Sequence, residues 1–255
     1  MNTIYIFSDW TNTVNLIENK NDFDKEKFNK FFASLQVMEE KTNCKVKFFI
    51  VSGCSIESAK KRYKLFKSAF KSVDREDMFM GIAFEYGGFY IDNNESVINI
   101  CNGFTNIQKD IIENFAKKYD FYPNKEYKLY LSFEASRQKE DRFEQFYKDI
   151  KANFPQLSYV YFNDEYGYGF DIKPKNVLKK SFVEWIVKKD SSIKTIVAIG
   201  DDEEDVQMVN IKGCSQNKYF IGFRDKQYSS KVDIISQEKN IDGASSSLCK
   251  LADII

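Results

Sequence analysis

The chain reads as an α/β protein built on a doubly wound, Rossmann-like parallel sheet, with an α+β segment inserted into it. Three observations carry that expectation. Short apolar strands alternate with amphipathic helices over residues 1–88, and the same alternation returns after residue 177. Between them the pattern changes to short strands, two helices and a hairpin. The expected division is a discontinuous core of residues 1–88 and 173–255, interrupted by a second domain of residues 89–172.

Residues 4–7, Ile-Tyr-Ile-Phe, are β-branched and aromatic and predict a short buried strand. It runs into Asp9, followed by Thr11, Asn12 and Thr13. Residues 24–42 carry Phe28, Phe31, Phe32, Leu35 and Met38 at helical spacing. Residues 45–51 form a second apolar run ending at Ser52-Gly53, and Ser55 caps a helix expected to reach residue 72. Residues 81–84 are a third core strand, leading into Glu85-Tyr86-Gly87-Gly88.

In the insert, residues 89–91 and 96–100 read as short strands about a polar turn. Residues 105–119 form a helix with Ile107, Ile111, Ile112 and Phe115 on one face, and residues 127–133 alternate as a strand. Residues 140–154 turn Phe143, Phe146, Tyr147 and Ile150 inward, and residues 159–162 and 168–172 make a hairpin about 163–165. The core rhythm then resumes. A helix is expected at 177–188 and a strongly apolar strand at 193–199. The latter ends in Gly200-Asp201-Asp202-Glu203-Glu204-Asp205, which opens a helix to about residue 209; strands at 218–223 and 232–235 and a helix at 243–254 follow.

Composition excludes several classes of function. Lys+Arg and Asp+Glu are equal at 38 each, so no charge excess points to nucleic acid or a membrane surface. No apolar run approaches bilayer length. The N-terminus enters a strand without a basic-then-apolar leader pattern, so the expected location is cytoplasmic. Five cysteines, widely spread and without a Cys-x-x-Cys pair, predict reduced thiols. The chain has no histidine, which removes Ser-His-Asp and Cys-His catalysis and His-ligated zinc hydrolysis. Hydrolysis here must run through carboxylates, Lys, Ser/Thr or an oxygen-bound metal.

In a parallel sheet, chemistry collects beyond the carboxyl ends of the strands. Asp9 follows the first strand, and Asp201 and Asp205 follow a later one, so two acidic turns are expected at one edge. Such an oxygen-only set suits Mg²⁺, which keeps waters and commonly takes a phosphate oxygen. An alternative reading makes both turns ordinary: Asp and Asn favour turns, and acids favour helix N-termini. Ser52 and the Gly53 N–H at a strand end are placed for an anion, and Lys179 near a helix start adds a cation.

Together these residues resemble the haloacid dehalogenase-like phosphatases, specifically their Cof-type group with a type IIB cap. The family's Asp-x-Asp-x-Thr motif is matched by Asp9-Trp10-Thr11-Asn12-Thr13, with Thr11 replacing the second Asp. Its strand-end Ser/Thr is matched by Ser52-Gly53, its lysine motif by the segment from Asp171 to Lys179, and its acidic motif by Gly200 to Asp205. The resemblance implies that Asp9 is the nucleophile and that Asp9, the Thr11 carbonyl, Asp201 and Asp205 attend Mg²⁺. It also implies that Ser52, Gly53 and Lys179 hold the phosphoryl group, and that the insert is the cap. Tyr130, Tyr168 and Arg137 are the residues chosen there to meet substrate, with Tyr127, Tyr161 and Tyr166 also available.

The substrate implied is a small phosphorylated metabolite, possibly a sugar phosphate, and the enzyme a monomer or weak homodimer. Thr11 departs from the family at the general acid/base position, and Glu204 and Cys54 replace its usual Asn and Arg. Thr11 keeps a second reading open: a catalytically weak phosphometabolite sensor or a phosphotransferase.

Overall fold

The computed structural model describes residues 2–16, 23–163, 167–211, 216–224, 228 and 232–255. The chain divides into two compact units, Met1–Ile100 with Lys179–Ile255, and Cys101–Leu178. Among the described residues, no helix is long and apolar enough to cross a membrane.

The first unit is organised by β1 (Thr3–Ser8), every residue of which is buried. Strands β2 (Lys45–Val51) and β9 (Ile193–Ile199) pair with it in parallel on either side. Beyond β9 lie β10 (Asn217–Phe223) and β11 (Ile234–Ser236), and beyond β2 lies β3 (Phe79–Phe84), all parallel. Alternate residues enter two apolar layers, the period-two consequence of a sheet covered on both faces. Ile4, Ile6, Phe48 and Ile50 pack in one layer with residues of α1 (Lys25–Thr42), α2 (Ile56–Ser72) and α7 (Asn240–Ala252). Tyr5, Phe7, Phe49 and Val51 pack in the other with Phe182 and Val183 of α5 (Lys179–Lys189). α1 starts where Asp24 accepts from the Lys27 N–H at 2.9 Å, an N-cap bond.

Two strands expected in the insert belong to this sheet. β4 (Phe89–Asp92) pairs antiparallel with β3, and β5 (Val97–Asn99) with β4, completing the order β11-β10-β9-β1-β2-β3-β4-β5. The expected boundary at 88/89 therefore moves to 100/101, because a hairpin's nearest edge was that of β3. The second boundary, expected at 172/173, lies at 178/179. The helix expected after the acidic turn is short, α6 (Glu203–Val206).

The second unit has one antiparallel sheet, ordered β6 (Leu131–Ala135), β8 (Tyr168–Lys173), β7 (Ser158–Asn163). Phe133, Phe170 and Ile172 pack with Ile112 and Ala116 of α3 (Asn106–Lys117) and with Phe143, Phe146 and Ile150 of α4 (Glu140–Asn153). The face expected for α3 is corrected: Ile112 is buried, whereas Ile107 and Ile111 are 73% and 53% exposed. Asp171 and Lys173 alternate with the apolar residues of β8 and so occupy its other face, with Ser132 opposite Asp171 in register. Residues 164–166, including Tyr166 and most of the expected hairpin turn, lie outside the described residues, as does Cys214.

Candidate active site

Three neighbouring strands continue their pairing one residue past their ends. The Asp9 N–H donates to the Ile199 carbonyl at 2.9 Å, Ser52 N–H to Ala83 at 2.9 Å, and Gly200 N–H to Ile221 at 3.2 Å. That ladder brings Asp9, Ser52 and the Gly200–Asp201 turn to one carboxyl edge of the sheet, where an open α/β fold presents its chemistry.

After Asp9 the backbone turns sharply. Thr11 is extended and exposed, and Asn12 adopts the left-handed region at φ 56°, which Asn tolerates better than most residues. The turn aims Asn12 Nδ2 at Asp201 Oδ2, 3.2 Å away, so the two acidic turns are tied by a side-chain bond. The Thr11 carbonyl accepts from Thr13 Oγ1 at 3.2 Å.

Across the edge, Asp205 Oδ2 accepts from the N–H groups of Asp201 at 3.1 Å and Asp202 at 3.3 Å, while Asp202 Oδ1 accepts from the Asp205 N–H at 3.0 Å. This reciprocal cap places Asp205 beneath the turn. It also explains Gly200: a Cβ there would lie 2.2 Å from the Asp205 side chain.

Lys179, at the start of α5, is buried and bridges both turns. Its Nζ donates to Asp9 Oδ1 at 2.7 Å and to Asp205 Oδ1 at 2.6 Å. One carboxylate oxygen from each of Asp9, Asp201 and Asp205 lies within 4.8 Å of the others. Burial raises the Asp9 pKa, partly countered by Lys179 and reinforced by Asp202 and Asp201. Burial likewise lifts Asp205 well above the ordinary carboxylate range. Burial alone depresses a lysine, but attraction to Asp205 and Asp9 outweighs it and holds Lys179 well above its ordinary value. One ammonium cannot neutralise three clustered carboxylates, so the set fits a divalent cation on charge as well as spacing. Both oxygens of Asp205 already have partners among Lys179 and the turn N–H groups.

Ser52 and Gly53 form the opposite side. Tyr86 N–H donates to the Ser52 carbonyl at 3.1 Å and Glu85 N–H to the Cys54 carbonyl at 3.1 Å, so the turn after β3 braces the Ser52–Cys54 loop. A Cβ on Gly53 would meet the Tyr86 ring at 3.0 Å. Ser52 Oγ also accepts from Arg62 of α2 at 3.1 Å. Arg62 and Asn12 are site residues that sequence reasoning missed. Arg62 lies in a Lys-Lys-Arg run that resembles a solvated helix face, and nothing in a turn motif tells which side chain Asn12 meets.

In the second unit the three residues expected to meet substrate are not all open. Tyr130 is buried and stacks on Tyr127 with centroids 4.4 Å apart. Tyr168 is a buried member of the apolar cluster, with the Arg137 guanidinium 5.9 Å from its ring centre.

With this geometry in place, comparison with known proteins gives the family. A haloacid dehalogenase-like hydrolase model matches residues 20–245. The chain belongs to that family. Solved structures agree in fold. A haloacid dehalogenase-like hydrolase from Bacteroides thetaiotaomicron superposes with TM-score 0.64 at 12% identity, over 97% of this chain and 98% of that one. The subclass IIB sugar phosphatase BT4131 gives 0.63 at 15% identity, over 98% and 99%. A trehalose-6-phosphate phosphatase from Aspergillus fumigatus gives 0.57 at 11% identity, over 100% and 93%. No curated protein sequence matches the chain. The haloacid dehalogenase-like assignment accounts for the mostly parallel sheet.

Proposed function

We propose that this hydrolase is a Mg²⁺-dependent phosphatase that removes the phosphoryl group from a small phosphorylated metabolite through an aspartyl phosphate on Asp9. The observation that carries the reading is the meeting of Asp9, Asp201 and Asp205 around one lysine at the sheet edge. A carboxylate oxygen of Asp9 attacks phosphorus, the bond to the leaving oxygen breaks, and that oxygen takes a proton from solvent. Water then attacks the same phosphorus and returns Asp9 as a carboxylate, releasing phosphate. Lys179 holds Asp9 in place and offsets its charge as the anion approaches. Ser52 and the Gly53 N–H hold transferring oxygens. Asp9, the Thr11 carbonyl and Asp201 would hold Mg²⁺, which when bound supplies charge neutralisation for the phosphoryl group.

Of the residues proposed to meet the rest of the substrate, Arg137 is exposed, whereas Tyr130 and Tyr168 are buried and shape the second unit. Sugar phosphates are the favoured substrate class, since some structural relatives act on them.

Thr11 supports a second reading, slow turnover in a sensor or phosphotransferase, because a threonine cannot serve as a carboxylic acid/base near neutral pH. An aryl-phosphate assay with and without Mg²⁺ tests the primary reading. Asp9→Asn is expected to lose about 10⁴-fold or more in turnover, the scale of removing a nucleophile. A folded Asp9→Asn protein with wild-type turnover would overturn it.

A further inference from the structure

We infer that Arg62 is an anion-binding residue of this site: it holds the Ser52 hydroxyl as a donor and offers its own positive charge to the anion. The inference rests on the phosphoryl-transfer reading of the site. Ser52 Oγ accepts two N–H bonds, from Arg62 Nη1 at 3.1 Å and from the Cys54 backbone at 3.3 Å. A hydroxyl has two acceptor lone pairs and one donor hydrogen. With both lone pairs taken, its hydrogen is directed at an acceptor, and an oxygen of an anion supplies one.

The guanidinium is itself held. Its central carbon lies 4.6 Å from the centre of the Trp10 ring, and Trp10 packs edge-on against Phe66 of the same helix at 5.6 Å. Trp10 directly follows Asp9, so one stretch of backbone presents both the carboxylate and the platform that fixes the arginine plane. Arg62 meets no carboxylate at ion-pair distance among the described residues, and its one hydrogen bond there is to Ser52. Lys179 differs: its ammonium is already engaged by Asp9 and Asp205. Of these two cations, the one with charge and donors left over for an incoming dianion among the described residues is Arg62. Its planar fork matches two phosphate oxygens in a way a lysine point charge does not.

The test is calorimetric binding of inorganic phosphate to the full chain in saturating Mg²⁺, with aryl-phosphate turnover measured in parallel. Arg62→Gln is expected to weaken phosphate binding about 10- to 100-fold, the range of a lost charge-assisted hydrogen bond, in a protein that still folds. Arg62→Lys should fall between Gln and wild type. Lys60→Gln, an exposed neighbour on the same helix, should bind as wild type. In a Ser52→Ala background the loss from Arg62→Gln should shrink several-fold, since the two act as a pair.

Wild-type affinity in folded Arg62→Gln, an equal loss in Lys60→Gln, or full additivity with Ser52→Ala would each overturn the inference. So would a wild-type chain that binds no phosphate. If Arg62→Gln does not fold, Arg62→Lys decides, and wild-type affinity there counts against it. Turnover separates the two claims: phosphatase activity lost in Asp9→Asn but unaltered in Arg62→Gln leaves the function standing and removes Arg62 from it.

Discussion

The two units handle polar residues in opposite ways. In the first, the sheet is covered by apolar layers on both faces, and the polar groups that matter stand at strand ends: Asp9 after β1, Ser52 after β2, Asp201 after β9. In the second, only one sheet face is packed by α3 and α4, and polar residues such as Asp171 and Lys173 lie along the strand itself, on the other face. A site built at strand ends inherits its geometry from the backbone ladder, whose spacing any sequence shares. A site built on a sheet face depends on which side chains are large, buried or charged, and so varies with each substitution. The proposed phosphoryl chemistry uses the first arrangement.

Replacing Lys179 strikes the first unit hardest. Lys179→Met leaves Asp9 and Asp205 buried without their shared cation, and breaking such a pair typically costs about 3–5 kcal/mol. The metal-free protein should lose that much in denaturant unfolding, and turnover should fall about 10²–10³-fold. A stable, active Lys179→Met would mean that the strand-end carboxylates are not held by charge.

In the second unit the corresponding weak point is apolar. Phe146 is fully buried and touches the rings of Phe121, Phe133 and Phe170, so Phe146→Ala should cost about 3–4 kcal/mol. Calorimetry should show the loss without any dependence on Mg²⁺; a Mg²⁺-dependent loss would break the contrast between the units.

Thr11→Asp restores a carboxyl group two residues after Asp9 and is expected to raise turnover about 100-fold. Unchanged turnover with intact folding and Mg²⁺ binding would show that proton transfer is supplied from elsewhere.

The smallest effect is one of pH. Asp9 and Asp205 have raised pKa values in the cation-free site, so their contribution to stability is present at low pH and is lost as pH rises through those values. Mg²⁺ requires the ionised carboxylates and offsets that loss. At ten times its Kd, Mg²⁺ should stabilise the protein by about 1.4 kcal/mol. The gain in Tm should grow between about pH 5 and about pH 8. A gain that shrinks over that range would contradict the carboxylate site.

What the sequence made legible follows the same contrast. Asp9, Ser52, Asp201 and Lys179 could be placed because each ends an apolar strand or opens a helix, and such positions show in hydrophobic periodicity. β4 and β5 were recognisable as strands, but period-two alternation does not say which edge a hairpin joins. Ile107 and Ile111 have the spacing of a buried helix stripe yet face solvent. Arg62 was hidden because a basic run on an amphipathic helix looks alike whether it meets water or a serine. The tyrosines of the second unit were visible as a class only, since pattern does not distinguish a packed ring from one that meets ligand.

The central claim is that Asp9 carries the phosphoryl group. Wild-type protein is incubated with an aryl phosphate and Mg²⁺, quenched in acid and digested, and the peptides are analysed by mass spectrometry. The account predicts phosphate on the peptide that contains Asp9, absent in Asp9→Asn and from reactions without Mg²⁺. Phosphate found on a different residue, or turnover with water attacking the substrate directly and Asp9 unmodified throughout, would contradict it.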